Sequence, residues 1–236
     1  MQLGIMQPYF LPYLGYYSLI KHTDKWIVFD TVQYIRHGWI ERNRILKPVE
    51  DWQYIAVPLQ KHTRDTAIQD VKIREEDWQG KMKRQLEHYK KAPHYNDTMN
   101  VLEKCFDVKT DSISLLNAHT LKCTCHYLGI DFNYEIFSEM DMGIEPVTDA
   151  GEWALSISKA YGAGTYINPA AGTALFDKEK FNAAGIELKF LHISLPAYPQ
   201  QRKVFEPGLS IIDVMMFNSA DAINTMLTEN TTITGA

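Results

Sequence analysis

The chain has 236 residues, 45% of them apolar by type, with 24 basic and 29 acidic side chains for a formal charge of −5. That length and apolar fraction support a packed core and exclude a disordered chain; the negative charge excludes the broad basic field of a nonspecific nucleic-acid binder. Three cysteines argue against a disulfide scaffold, and the chain has no apolar run of bilayer length and no basic stretch ahead of its first apolar residues, so a cytoplasmic protein without a membrane span is expected.

In chain order, residues 2–6 read as a strand that runs into Gln7-Pro8-Tyr9-Phe10-Leu11-Pro12-Tyr13, a turn dense in rings and prolines. Pro12 suits the first turn of a helix reaching His22. Residues 26–30 read as a second buried strand ending on Asp30. Strand, helix and strand within about 30 residues form a βαβ pattern, which favours a parallel pair. Residues 52–59 and 70–73 read as further strands. The pattern is helical over 78–91, 96–106 and 112–128, then gives a strand at 132–137, a helix at 152–161 and a strand at 165–167. A helix over 177–184 stops at Gly185, a strand follows at 187–193, and the end is helical from Ser210.

The expected fold is α/β: a mostly parallel sheet core drawn from both chain ends, 1–76 and 130–227, with a helical insert at 77–129 and a flexible polar tail at 228–236. Ligands of open parallel sheets sit outside the carboxyl ends of the strands, where Gln7 and Asp30 both fall.

Gln7, Tyr9, Asp30, Gln33, Tyr34, Arg36 and His37 form one polar and aromatic cluster along the chain. Asp30 or His37 is suited to position an amine or accept its proton. The plainer readings are a strand-end turn for Asp30 and a solvated loop for His37. Tyr9, Phe10 and Tyr13 offer flat, partly polar ring surfaces for lining a pocket, and Gln33 and Tyr34 complete the binding surface. In Arg42-Asn43-Arg44, an extended backbone would put both guanidinium groups on one face, a pattern suited to a diphosphate or carboxylate. Neither a Walker sequence nor a G-x-G-x-x-G occurs.

Gln7-Pro8-x-Phe10-x-Pro12-Tyr13-x-Gly15-Tyr16, the Asp30 to Tyr34 stretch, Arg42-Asn43-Arg44-Ile45, Lys91-Ala92-Pro93, Tyr198-Pro199-Gln200 and Phe205-x-Pro207-x-Leu209-Ser210 together resemble the WbqC-like family over nearly the whole chain. One departure is Asn168-Pro169, where the family tends to carry a Ser-Gly pair. The resemblance implies a place in bacterial O-antigen or related surface polysaccharide synthesis. It also implies transfer of a glycyl or similar aminoacyl group to the amine of a nucleotide-linked amino sugar, with the backbone amides after Gln7, or Asn43, meeting the oxyanion, Arg42 and Arg44 holding the diphosphate, and Tyr9, Phe10 and Tyr13 stacking on sugar or base. The implied co-reactant is ATP or an activated aminoacyl donor, an aminoacyl-tRNA among them, for which the basic run at 81–91 would be the docking strip. The competing class is a noncatalytic nucleotide-sugar-binding protein of a polysaccharide assembly complex.

Tyr13-Leu14-Gly15-Tyr16 falls where adenylate-forming nucleotidylyl transferases carry H-x-G-H, which would suit an ATP-dependent amino-acid-activating ligase; tyrosine cannot supply the histidine charge. His119, Cys123 and His126 share one helical face, but the spacing fits no zinc site and no metal is expected. Ser210 and Asp213 read as helix-start residues.

Overall fold

A computed structural model describes residues 1–144, 147 and 149–236. Five parallel strands form the centre: β1 (Gln2–Met6), β2 (Lys25–Val28), β5 (Tyr134–Ile136), β6 (Thr165–Pro169) and β7 (Glu187–Ile193). Their spatial order is β5-β2-β1-β6-β7, with β8 (Thr231–Gly235) antiparallel on the β7 edge. The expected α/β fold with a mostly parallel sheet from both chain ends is the fold observed. β1 pairs in register with β2 (Ile5 opposite Ile27) and with β6 (Gly4 opposite Ile167).

Side chains alternate across this sheet with the two-residue period of a strand. Leu3, Ile5 and Ile27 face one layer, packed against Ile157 of α5 (Ala150–Tyr161) and Phe181 of α6 (Lys178–Ala183). Trp26 and Val28 face the other layer, with α1 (Leu14–Lys21), α4 (Ile113–Leu128), α7 (Ile211–Phe217) and α8 (Ala220–Glu229). Burial on both faces explains the near-continuous apolar runs of these strands. Gly4 has a steric reason: a Cβ there would meet the Trp26 ring at 2.7 Å.

Residues 77–129 carry α2 (Trp78–Gln85), α3 (Tyr95–Phe106) and α4. Ser112 caps α4 by accepting from Leu115 N, and Gly129 ends it in the left-handed region at φ 66°. Within the basic run, Lys83 and Lys90 make surface pairs with Glu103 and Glu87.

Three local expectations differ. The strand at 52–59 is β4 (Trp52–Ala56), and it pairs with β3 (Arg42–Leu46) in a separate two-stranded hairpin. The strand at 70–73 shrinks to isolated antiparallel bridges of Lys72 with Ser112 and Ile73 with Leu59, after a 3-10 turn over Ile68–Asp70. The tail expected to be flexible at 228–236 closes the sheet instead as β8. Its run of β-branched Thr231, Thr232, Ile233 and Thr234 suits a half-exposed edge strand, and Thr231 Oγ1 bonds Ser18 Oγ at 2.7 Å.

Candidate functional site

The chain winds outward in one direction through β1, β2 and β5, and in the other through β6 and β7, so the order reverses between β1 and β6. Crevices at such reversals, outside the carboxyl ends of the strands, are where open α/β sheets bind ligands. The segment after β1 occupies this place, and its backbone is held almost residue by residue. The Gln7 carbonyl accepts from Tyr16 Oη at 2.8 Å and the Pro8 carbonyl from Asn117 Nδ2 at 2.7 Å. Phe10 N donates to Trp39 O at 2.8 Å. Asn43 Nδ2 bridges the carbonyls of Phe10 (3.1 Å) and Leu11 (3.0 Å). Ser210 Oγ donates to Leu11 O at 2.7 Å, and Ile211 N to Pro12 O at 2.8 Å. These bonds stabilise Leu11 in the left-handed region at φ 41°, a strained conformation for a branched residue.

The pinned segment forms one wall of a cavity of about 250 Å³ lined by Tyr9, Pro12, Tyr13, Trp39, Asn43, Arg44, Leu195 and Gly208. Arg44 supplies its cation. β3 presents Arg42 and Arg44 at alternate positions, hence on one face, but the two side chains have different fates. Arg42 stacks 3.9 Å from the Tyr54 ring centre and donates to the carbonyls of His37 and Gly38. Arg44 lies between two indoles, 5.2 Å from the Trp52 ring centre and 5.7 Å from that of Trp39. Its Nη2 donates to Gly208 O at 3.0 Å, while its buried Nε has no partner among the described residues. No described carboxylate lies within ion-pair distance of Arg44. A half-buried guanidinium with an unused N–H between aromatic faces is chemically suited to an anion.

Two phenols share the cavity. Burial raises the Tyr9 pKa, helped by the neighbouring Tyr13, and burial raises that of Tyr13. Both stay protonated across the neutral range and act there as hydrogen-bond donors. The Tyr13 ring lies over Gly15, where a Cβ would come within 2.5 Å of it, so this glycine makes room for the ring. Tyr16 is buried with its hydroxyl committed to Gln7 O. The Tyr13-x-Gly15-Tyr16 motif thus builds the turn and one cavity wall.

Of the residues expected at the site, Tyr9, Tyr13, Asn43 and Arg44 line this cavity. Gln7 follows β1 directly and does not line the cavity; its carbonyl accepts from Tyr16 Oη. Phe10 is fully buried, edge-on to Trp78. Asp30 is 1% exposed and enclosed by three donors: Ser114 Oγ at 2.8 Å, Ser138 Oγ at 2.8 Å and Ser138 N at 3.0 Å. Gln33 is exposed and donates to Arg64 O, while Tyr34 is buried against His62. His37 is exposed at φ 62°, two residues before Trp39.

Trp39, Leu195 and Gly208 complete the cavity, and sequence reasoning did not select them. An exposed tryptophan beside an arginine pair is a usable signal for Trp39. Leu195 and Gly208 come from the far end of the chain and carry none. Asp213 was also read differently. Ser210 does cap α7, but the buried Asp213 carboxylate accepts from Tyr89 Oη (2.6 Å), Tyr198 Oη (2.7 Å) and Gln200 Nε2 (2.9 Å). Gln200 in turn binds Glu206 through both ends of its amide, which fixes the segment leading to Gly208.

A wider depression of about 930 Å³ lies between the β3–β4 turn and residues 199–206. Arg202 and Lys203 there face Glu50, Asp51 and Glu206, and Arg202 already donates to the Asp51 carbonyl, so its wall holds no single sign of charge.

A family model described as the WbqC-like protein family matches residues 7–225, nearly the whole chain, including every element around the Arg44 cavity. The chain belongs to the WbqC-like family. A relative in Mycobacterium tuberculosis, described as uncharacterized protein Rv1507c, is 28% identical over 225 residues, covering 94% of this chain and 95% of its own length. No solved structure matches the chain. Among the described residues of this WbqC-like protein, no helix is long and apolar enough to cross a membrane, and no three metal-ligating side chains gather at one point.

Proposed function

We propose that this protein is a transferase that joins a glycyl or similar aminoacyl group to the amine of a nucleotide-linked amino sugar, in the cytoplasmic stage of bacterial surface polysaccharide synthesis. The observation that supports the ligand is Arg44: a cation without a carboxylate partner among the described residues, set between Trp39 and Trp52, with an unused Nε–H. A cavity of about 250 Å³ is pyranose-sized, so it takes the sugar and one anionic group while the rest of the nucleotide extends outside.

Acyl transfer to an amine needs a neutral nucleophile, donors for the oxyanion and an acceptor for the amine proton. In this reading Tyr9 and Tyr13 donate to the oxyanion, since burial keeps both phenols protonated. Gln7 and Asn43 hold the turn that carries them. The exposed His37 takes the proton. Asp30, with three donors around it, sets the strand end and the start of α4. Arg42 holds the His37 and Gly38 carbonyls of the loop that leads to Trp39. ATP or a preformed aminoacyl donor activates the acyl group.

The test is to incubate the protein with a nucleoside-diphosphate-linked amino hexose and either glycine plus ATP or glycyl-tRNA, then read product mass. A product heavier by one glycyl unit supports the proposal. Binding of the nucleotide sugar with no product from either donor would replace it with the noncatalytic binding reading.

A further inference from the structure

Arg44 is held by two pieces of chain that the main sheet does not orient. β3 belongs to the separate hairpin, and residues 194–209, which bring Gly208 to the guanidinium, form neither helix nor strand. The side chain that joins them is Asp213 on α7. Its carboxylate is fully buried, in a helix whose other residues are all apolar. A buried charge costs stability, and a well-packed apolar residue often serves a core as well or better. The acid is explained by what it holds.

Each carboxylate oxygen holds one wall. Oδ2 accepts from Tyr89 Oη at 2.6 Å, and the same phenol oxygen accepts from Leu46 N at 2.8 Å, on β3 just beyond Arg44. Oδ1 accepts from Gln200 Nε2 at 2.9 Å. Gln200 in turn clamps Glu206, whose carbonyl accepts from Nε2 at 2.9 Å and whose N–H donates to Oε1 at 2.8 Å. Shortly after Glu206, Gly208 presents the carbonyl that takes Arg44 Nη2. The backbone closes the circuit: Asp213 N donates to Ser210 O at 3.0 Å, and Ser210 N to the Arg44 carbonyl at 2.8 Å. A third donor, Tyr198 Oη, reaches Oδ1 at 2.7 Å but bonds neither β3 nor residues 206–208.

We propose that Asp213 is the positioning residue of the anion site, setting Arg44 in place by holding β3 through Tyr89 and the Gly208 segment through Gln200. This deepens, and rests on, the reading of Arg44 as the group that binds the anion. The geometry requires a carboxylate. An amide at 213 has one oxygen and one NH2. With its oxygen toward Tyr89, its NH2 meets Gln200 Nε2, and Gln200 cannot turn because Glu206 fixes both ends of its amide. With its oxygen toward Gln200, the Tyr89 hydroxyl loses its acceptor. One arm is lost in either case.

Phenylglyoxal labelling of Arg44, read by peptide mass against the exposed Arg64, reports the placement of Arg44 with no ligand present. Titration calorimetry with a nucleoside-diphosphate-linked amino hexose reports the site. In Asp213→Asn and in Tyr89→Phe, Arg44 should label several times faster than in the wild type. Affinity in both should fall about tenfold or more, the factor carried by one misplaced hydrogen bond to a charged group. Tyr198→Phe takes a bond from the same carboxylate, so its Tm should fall about as far as that of Tyr89→Phe, yet labelling and affinity should stay within about twofold of wild type. Unchanged labelling in Asp213→Asn, or equal acceleration in all three variants, would overturn the proposal. Faster labelling with affinity retained, or a wild type that binds no sugar nucleotide, would instead overturn Arg44 as the anion-binding group and leave its placement by Asp213 standing. Tyr89→Phe against Tyr198→Phe decides the matter even where Asp213→Asn fails to fold.

Discussion

Arg44 and Gly208, 164 positions apart in the chain, meet where Arg44 Nη2 donates to the Gly208 carbonyl at 3.0 Å. Gly208 is in the left-handed region at φ 67°, and a Cβ there would come 3.4 Å from Arg44 Nη2. The glycine therefore serves the turn, and through it the carbonyl that Arg44 holds, while a methyl there would only touch the guanidinium at ordinary van der Waals distance. Gly208→Ala should cost about 1–2 kcal/mol from the backbone alone, or a fall of about 2–8 °C in Tm for a chain of this size. It should also weaken binding of a nucleotide-linked amino sugar, because relief of the backbone strain shifts the Gly208 carbonyl that positions Arg44. Calorimetric titration beside a circular dichroism melt checks both, and unchanged affinity would separate Gly208 from the anion site.

Asp30 draws together three separate elements: its own strand end, Ser114 at the start of α4 and Ser138 after β5. Removing the charge leaves those donors poorly matched in a buried place. Hydrogen bonds to a charged group contribute about 1.5–3 kcal/mol each. Asp30→Asn should therefore destabilise by about 2–4 kcal/mol and lower Tm by roughly 5–15 °C. A variant that melts like the wild type but has lost turnover would instead make Asp30 a member of the reacting centre.

The parallel core was legible because its signals are local. Leu3 and Ile5 alternate with Gly4, and strand, helix and strand follow one another within a span too short for other topologies. Arg44 was legible for the same reason, through alternation with Asn43. Asp30 was not: a carboxylate at a strand end reads alike whether it meets water or serines 84 and 108 positions away. β8 was obscured by its threonines, which suit a loose tail as well as an edge strand, and the partner strand β7 alone decides between them. Asp213 could have been found as the lone acid in a helix otherwise built from Ile211, Ile212, Val214, Met215 and Met216.

Asp213 gives a pH signature. Burial raises its carboxyl above the ordinary range, and the bonds from Tyr89, Tyr198 and Gln200 bring it only part of the way back. A carboxyl with a raised folded pKa favours the folded state when protonated. Its contribution is full below the unfolded value, about 3.9, and is lost as pH rises through the folded value. Asp213→Asn does not titrate, so the stability gap between wild type and variant should be largest near pH 4 and narrow toward pH 7. Urea unfolding midpoints across that range measure it. A gap that widens with pH would mean that the three donors outweigh burial.

Arg44 carries the most direct prediction. Its guanidinium sits 5.2 Å from the Trp52 ring centre and 5.7 Å from that of Trp39 and donates to Gly208 O, while its buried Nε–H has no acceptor among the described residues. Arg44→Ala should reduce affinity for a nucleotide-linked amino sugar by about 100-fold or more, since one charged hydrogen-bonded partner is worth about 2–5 kcal/mol. Arg44→Lys keeps the charge but has neither the planar fork nor the lateral N–H, so it should recover less than a tenth of wild-type affinity. Both variants should melt within a few degrees of the wild type, because they remove one carbonyl bond and ring contacts while leaving no buried carboxylate unpaired. Titration calorimetry at two salt concentrations separates the effects: wild-type affinity should fall with salt and that of Arg44→Ala should not. If Arg44→Ala binds the sugar nucleotide as the wild type does, the anion is held elsewhere and the cavity between Tyr9 and Trp39 is not its site.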